Sequence, residues 1–329
     1  MDRFALMVGV SHCEEPELPT LRRARTNVEV LKRSLQSTNS GFEVHTLWDA
    51  PQLEMAETIE QFFRHRDGDD QVFFLFSGYV FKDVDGQIYL STPSTLIDDW
   101  GQLVRARTIP LHFLLNVMDA SPAWRQVIIF DCCFRLTQGI DLDDAEVFLE
   151  EYFNQMVGDR RIVLTASTYT QHQPDPEALD VWSYTRYLAE GAATGAADTD
   201  CDGSLTVKEL HHYAQRKLQI AAPNQQPQFY GSEATANQML LQVPSNTPVI
   251  QYRQFLEKLA ETSEIDQTEF RILTGRNRLN AFRQHLGISQ TMAAEIEFEV
   301  LRPFQEHQQR KQLFQEYFAQ LTEGRYESQ

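Results

Sequence analysis

The sequence predicts an α/β domain built on a mostly parallel sheet flanked by helices, followed by an all-α helical bundle. Three observations predict it. Apolar runs of strand length recur in the first half, as expected for strands buried on both faces. They alternate with amphipathic stretches of helical period, the order that gives a parallel sheet. From Pro248 onward only helical patterns remain. Charge divides the chain at the same place. Residues 245–329 carry 10 basic and 12 acidic side chains, a net of −2, leaving 19 and 35 to residues 1–244, a net of −16.

The elements follow in order. FALMVGVS (4–11) is a continuous apolar strand. ARTNVEVLKRSLQS (24–37) carries Val28, Leu31 and Leu35 on one helical stripe. FEVHTLWD (42–49) alternates as a strand, and EMAETIEQFFRHR (54–66) is helical. QVFFLFSGYVF (71–81) is a second apolar strand, and Asp85-Gly86 signals a hairpin into QIYLSTPST (87–95). PLHFLLNVMDAS (110–121) places Pro110 at a first helical position. RQVIIFDCC (125–133) and RIVLTAST (161–168) are two more buried strands. SYTRYLAEGAA (183–193) and LTVKELHHYAQRKL (205–218) are helices around an acidic loop. Residues 219–247, rich in Gln, Asn, Pro and Ser, read as a surface return with a short strand in PQFYG (227–231). The domains expected are therefore 1–232, a linker at 233–247, and helices over 248–329. In the last, Gly287 reads as a C-cap and Ser289 as the next N-cap, and Pro303 should start or kink a helix. Phe255, Leu256, Leu259, Phe314, Phe318 and Leu321 read as bundle core, with a partner-binding groove as the alternative.

Composition limits what such a chain does. Its 329 residues suit about two domains of roughly 150 residues. An apolar fraction of 42% excludes a wholly disordered chain. No apolar run is long enough to cross a membrane. The apolar stretch Phe4–Val10 is too short for a secretion signal and lacks a cleavage site, so a cytoplasmic location is expected. Cys13, Cys132, Cys133 and Cys201 are too few and too irregularly spaced for a disulfide framework. A net charge of −18 repels polyphosphate and anionic lipid, so neither nucleic acid nor membrane is an expected partner. The same charge favours a cation, either an Arg/Lys peptide or a metal ion.

In open α/β sheets, chemistry collects beyond the C-terminal ends of the strands. Two strands there run into motifs, VFFLF into Ser77-Gly78-Tyr79-Val80 and VIIF into Asp131-Cys132-Cys133-Phe134-Arg135. With ALMVGVS, the hairpin DVDGQIYLST and VLTAST, these motifs carry a resemblance to the caspase-like cysteine peptidases over about residues 4–232. The chain most closely resembles the orthocaspases, the prokaryotic metacaspases. In that family the histidine strand ends in S-G-H-G and the cysteine strand in D-x-C-x-S-G. The resemblance implies a caspase-like fold, Cys133 at the nucleophile position, and Asp131 as the carboxylate that holds a substrate Arg or Lys. It sets Tyr79 at the position of the catalytic histidine, with Gly78 and Val80 in the oxyanion region. The departures fall on that same constellation: Tyr79 for histidine, Val80 for the glycine after it, and Arg135-Leu136 for the S-G after the cysteine. A cysteine peptidase needs a group that both accepts and returns a proton near neutral pH. Imidazole titrates near ~6.5, a phenol near ~10. His172, in a loop after a strand, is either a substitute base or an ordinary exposed loop residue. Cys133 taken alone is also compatible with a small buried thiol. The expectation is a catalytically inactive orthocaspase homologue, a regulatory or binding pseudopeptidase whose partner is a basic peptide or an active orthocaspase. The alternatives are an endopeptidase cleaving after Arg/Lys with an unorthodox base, and a calcium-responsive scaffold.

The acidic loop gives the last candidate. Residues 198–209 fit D-x-D-x-D-G-x5-E, an EF-hand-like pattern. Asp198, Asp200, Asp202 and a bidentate Glu209 would supply hard oxygens to Ca²⁺, with the Ser204 carbonyl and Thr206 completing the shell. The alternative is an Asx-turn-rich N-cap for the helix that follows. His211 and His212 are adjacent on that helix, point about 100° apart, and make a poor metal pair.

Overall fold

The computed structural model describes residues 2–37, 40–137, 142–166, 184–223, 225–243, 247–261 and 269–326. In chain order its elements begin β1 (Arg3–Gly9), α1 (Arg22–Ser37), β2 (Phe42–Trp48), α2 (Gln52–Arg64), β3 (Gln71–Lys82) and β4 (Ile88–Leu90). Then come β5 (Ile109–Pro110), α3 (Leu111–Ala120), β6 (Arg125–Leu136), α4 (Leu142–Val157), β7 (Arg161–Thr165) and α5 (Tyr184–Thr194). β8 (Ser204–Thr206), α6 (Val207–Ala221), β9 (Gln228–Tyr230), α7 (Glu233–Ala236) and β10 (Met239–Gln242) close the first region. α8 (Pro248–Glu261), α9 (Glu269–His285) and α10 (Gln290–Tyr326) follow.

The main sheet runs β2-β1-β3-β6-β7-β9. Its first five strands are parallel, and β9 adds to β7 antiparallel. β4 folds back on the far end of β3 through a turn in which Gly86 takes φ +76°, as the hairpin signal predicts. Strand side chains alternate between two cores. Ala5, Met7, Phe73, Leu75, Val127 and Ile129 meet α1, α5 and α6 on one face. Leu6, Val8, Phe74, Ile128 and Phe130 meet α2, α3 and α4 on the other. The predicted stripe Val28, Leu31 and Leu35 is buried.

Several expectations are corrected. Residues 233–242 are not a linker: they form α7 and β10, and β10 pairs antiparallel with β8. Leu240 and Leu241 are fully buried there, so apolar burial outweighs the polar composition around them. Pro110 sits one residue before α3, at the N-cap, because it also pairs with Tyr89 in the β4–β5 ladder. α4 is absent from the sequence expectations, although Leu149, Phe153 and Met156 follow helical spacing and are buried. Pro303 lies inside α10 and starts no helix. The Gly287–Ser289 junction forms as predicted: Gly287 takes φ +68°, and Ser289 Oγ accepts from the Met292 N–H at 3.2 Å. Leu256 and Leu259 enter a core with Ile296 and Val300. The side chains of Phe314, Phe318 and Leu321 lie outside the described set.

α6 carries a pH-sensitive residue into the core. His211 is buried, shares a 2.6 Å hydrogen bond with the Tyr184 hydroxyl, and has its pKa pushed down to about 3, by burial first and by His212 second. The unfolded imidazole binds a proton near ~6.5, so the unfolded state binds more protons between the two values. Stability is therefore unaffected by this group above about pH 6.5, and is lost as pH falls below it, by up to about 1.4 kcal/mol per pH unit. Urea midpoints measured from pH 7 to pH 5 should fall less steeply in His211→Gln than in the wild type. Equal slopes would show that His211 is not protected from protonation.

Candidate functional site

β3 and β6 are the central strands, and their register juxtaposes the two motifs. Ser77 pairs with Asp131, Gly78 with Cys132, Tyr79 with Cys133, Val80 with Phe134, Phe81 with Arg135 and Lys82 with Leu136. Adjacent strands lie about 4.8 Å apart. Tyr79 and Cys133 are thus immediate neighbours, on the face that packs against α1 and α5. Gly78, Val80 and Cys132 take the opposite face. The Cys132 Sγ donates to the Phe76 carbonyl at 3.3 Å, so the two adjacent cysteines serve different cores.

The sequence reading puts both motifs just past strand ends. In the structure both strands continue through them. The residues that follow Tyr79 and Cys133, Val80-Phe81 and Phe134-Arg135-Leu136, contain no glycine to break a strand, and β4 pairs with Val80–Lys82 from the other side. Aromatic and β-branched residues suit such a ladder. With β4 on one side and β6 on the other, the main-chain N–H groups of residues 80–82 face ladders. They do not converge on a point where an oxyanion would sit. The Val80 side chain is buried in the α2/α3 core. Gly78 is a steric requirement: a Cβ there would stand 2.9 Å from Phe76 Cζ and 3.1 Å from Ser91 Oγ.

Tyr79 is 0% exposed. Its hydroxyl donates to the Pro19 carbonyl at 2.8 Å, and its N–H donates to Ser91 Oγ at 3.1 Å. The Arg135 guanidinium lies 5.6 Å from the ring centroid, within cation–π range. Phe81, Tyr89 and Leu103 pack around the ring, with Cys13 and Cys133 at its margin. Burial, and next the neighbouring Cys133, raise the phenol well above its ordinary value. Burial also raises the Cys133 thiol. Arg23 and Arg135 oppose that shift and Asp131 adds to it. Cys13 is pushed up to about 11, by burial first. The nucleophile of a cysteine peptidase is the thiolate, and here the thiol form is favoured.

Asp131 has a structural commitment. Its Oδ2 accepts from Asn27 Nδ2 at 3.1 Å and from the Thr185 N–H at 3.2 Å. Thr185 lies in the first turn of α5, where the helix dipole favours a carboxylate. Asp131 therefore ties α1 and α5 to the middle of β6. Sequence reasoning missed Arg23, Asn27, Pro19 and Thr185. One signal was present: Asn27 stands four residues before Leu31 and eight before Leu35, a polar residue continuing the buried stripe, with Arg23 four residues earlier still. His172 lies outside the described residues, as does the Leu136 side chain.

The acidic loop joins α5 to α6. One carboxylate oxygen from each of Asp198, Asp200 and Asp202 lies within 4.8 Å of the others. Glu209 is placed elsewhere. Its Oε2 accepts from the Thr206 N–H at 3.1 Å and hydroxyl at 2.8 Å, its Oε1 accepts from the Thr199 N–H at 3.0 Å, and its own N–H donates to Thr206 Oγ1. This is a capping box at the start of α6. Asp198 Oδ2 accepts from the Gly203 N–H at 3.0 Å, and Asp202 Oδ1 from the Ser204 N–H at 2.6 Å. Gly203, at φ +84°, allows the turn. Burial raises the Asp198 carboxyl pKa, the Gly203 N–H opposes this, and nearby Asp200, Glu209 and Asp202 add to it.

The family model described as Caspase domain matches residues 2–239. The chain is similar to a crystal structure of a protein from Geobacter sulfurreducens, at 15% identity and TM-score 0.46, over 74% of this chain and 100% of that one. It is also similar to caspase-1 from Spodoptera frugiperda, at 13% identity and TM-score 0.45, over 70% of this chain and 86% of that one. No curated protein matches the chain. Among the described residues, no helix is long and apolar enough to cross a membrane.

Proposed function

Because this chain belongs to the caspase-domain family, we propose that it keeps the peptidase frame without the hydrolytic chemistry and acts as a regulatory, binding member. One observation carries the reading. Where the orthocaspase pattern has histidine stands Tyr79, a fully buried phenol whose proton goes to Pro19. Hydrolysis needs a base to take the thiol proton of Cys133 and an acid to return it to the leaving amine. A phenol raised further above its ordinary value does neither at pH 7. The continued β3–β6 pairing supports the same reading, because it occupies the backbone from which oxyanion donors would come.

The proposed partner is a basic protein segment, which the net charge of −18 favours. Asp131 is a poor place to hold it, because a substrate guanidinium would compete with Asn27 and Thr185 for Oδ2. Arg23 and Arg135 also act on this end of the sheet. The test is an assay of the full chain with fluorogenic peptides ending in Arg or Lys, near neutral pH. Turnover should not exceed background, and Cys133→Ala should change nothing. Cleavage that disappears in Cys133→Ala overturns the proposal in favour of the unorthodox-base reading.

A further inference from the structure

We propose that the loop from Asp198 to Glu209 is a calcium site, separate from the Cys133 constellation and independent of whether that constellation hydrolyses anything. Three converging aspartates alone do not make a site, since exposed acidic groups often cluster without an ion. The added observation is Asp198. It is 2% exposed, and while its Oδ2 accepts from Gly203, its Oδ1 is buried without a hydrogen-bond partner. A buried carboxylate oxygen without a donor or cation is strongly unfavourable. This side chain brings an oxygen within 4.8 Å of oxygens from Asp200 and Asp202. A divalent cation held by the three carboxylates would offset two of their three like charges and supply the partner that the orphaned oxygen lacks.

The donor set is all hard oxygen, which excludes a preference for the softer metals that take Cys or His. Calcium accepts six to eight such ligands in flexible geometry, whereas magnesium demands a near-ideal octahedron. The three aspartates stand at positions 1, 3 and 5 of the twelve-residue loop, Gly203 at the required sharp turn, and Ser204 at the position that contributes a carbonyl. β8 holds Ser204–Thr206 against β10, with Leu205 buried beneath, so this part of the loop is anchored in the fold. Glu209 at position 12 is engaged in the capping box. Calcium would draw its carboxylate from Thr206 and Thr199 into the shell.

Two substitutions separate ligation from capping. Glu209→Gln keeps a side chain that can serve a capping box but loses the charge a bidentate ligand needs. Asp198→Asn keeps the shape and can still accept from Gly203. Calorimetric titration of the chelator-treated full chain with calcium chloride should show one site, in the range of about 10⁻⁵ to 10⁻³ M for an unpaired loop. Each variant should weaken binding at least about tenfold or abolish it. Thermal melts give a second reading. With chelator, Asp198→Asn should melt no lower than the wild type, because it neutralises the orphaned carboxylate; with millimolar calcium the wild type should melt higher. A merely structural Asp198 would make the variant less stable in both conditions. No heat and no calcium-dependent shift in the wild type overturns the site, as does binding unaffected by both substitutions. Equal affinity for magnesium overturns the assignment to calcium.

Discussion

Tyr79→His alone is expected to give only weak cleavage after Arg or Lys, whereas Tyr79→His combined with Val80→Gly, Arg135→Ser and Leu136→Gly should exceed the single variant by about 10²–10³. The single change supplies an imidazole beside Cys133, because the register places the two positions side by side. It leaves two obstacles. The N–H groups after position 79 still face the β4 and β6 ladders, so the developing oxyanion meets no aimed donor. Loss of one such donor typically costs ~10²–10³ in kcat, about 3–4 kcal/mol. The Arg135 guanidinium still lies over position 79. Two glycines in the last part of the paired stretch weaken it, because glycine is a poor strand residue, and they let the chain turn there. Arg135→Ser has an opposing effect, since Arg135 lowers the Cys133 thiol pKa. The quadruple variant therefore depends more on its imidazole, and its rate should rise with pH through the imidazole range. Both variants also lose the phenol that satisfied Pro19, so a circular dichroism melt must accompany the kinetics. If the single variant cleaved as fast as the quadruple one, and Cys133→Ala removed that activity, the strand continuation would not be what blocks the site.

The parts of the fold that read clearly from sequence are those where one local pattern decides. β1, β3, β6 and β7 are apolar runs, and a run that apolar is stable only between two helical layers. The Asp85-Gly86 turn, Gly287 and Ser289 need only their own neighbours. The site was legible to the same extent. The two motifs lie in register, and Tyr79 pairs with Cys133. What they do there was not legible. A family pattern suggested that both strands stop, while Val80-Phe81 and Phe134-Arg135 have every local reason to continue. The commitment of Asp131 to Asn27 and Thr185 spans 104 and 54 residues, a separation that no periodicity reveals. The β8–β10 pairing was hidden for a related reason: two strands of three and four residues carry too little pattern to stand out from loops.

Glu190→Gln is expected to cost about 3–5 kcal/mol, because the side chain is the centre of a buried charge network. Glu190 lies on α5 with its carboxylate 9% exposed. Arg302 of α10 stands 2.5 Å from Oε2. Arg253 of α8 stands 3.6 Å and Lys217 of α6 3.9 Å from Oε1, which also accepts from the Tyr213 hydroxyl at 2.7 Å. Lys217 is held by Glu257 at 2.9 Å, and Arg253 also pairs with Glu299. Glu306 pairs with Arg302 at 3.8 Å and with Arg186 of α5 at 3.4 Å, so four carboxylates balance four cations, drawn from four helices, two before the charge boundary and two after it. A buried pair of this kind adds little over an apolar core of the same shape, but removing one member strands the others. Glutamine keeps the volume and leaves Lys217 with Glu257, Arg253 with Glu299 and Arg302 with the more distant Glu306. The exposed i,i+4 pair Arg33–Glu29 is the control, since screening makes such pairs nearly neutral. Urea unfolding should separate the two sites clearly, and thermal melting of Glu190→Gln should fall by about 6 °C or more. Arg302→Met should also destabilise, and the double variant should lose less than the sum, because the two side chains are in contact. Additive losses, or a Glu190→Gln midpoint equal to the wild type's, would show that the helices after Pro248 are held on α5 and α6 by apolar packing alone.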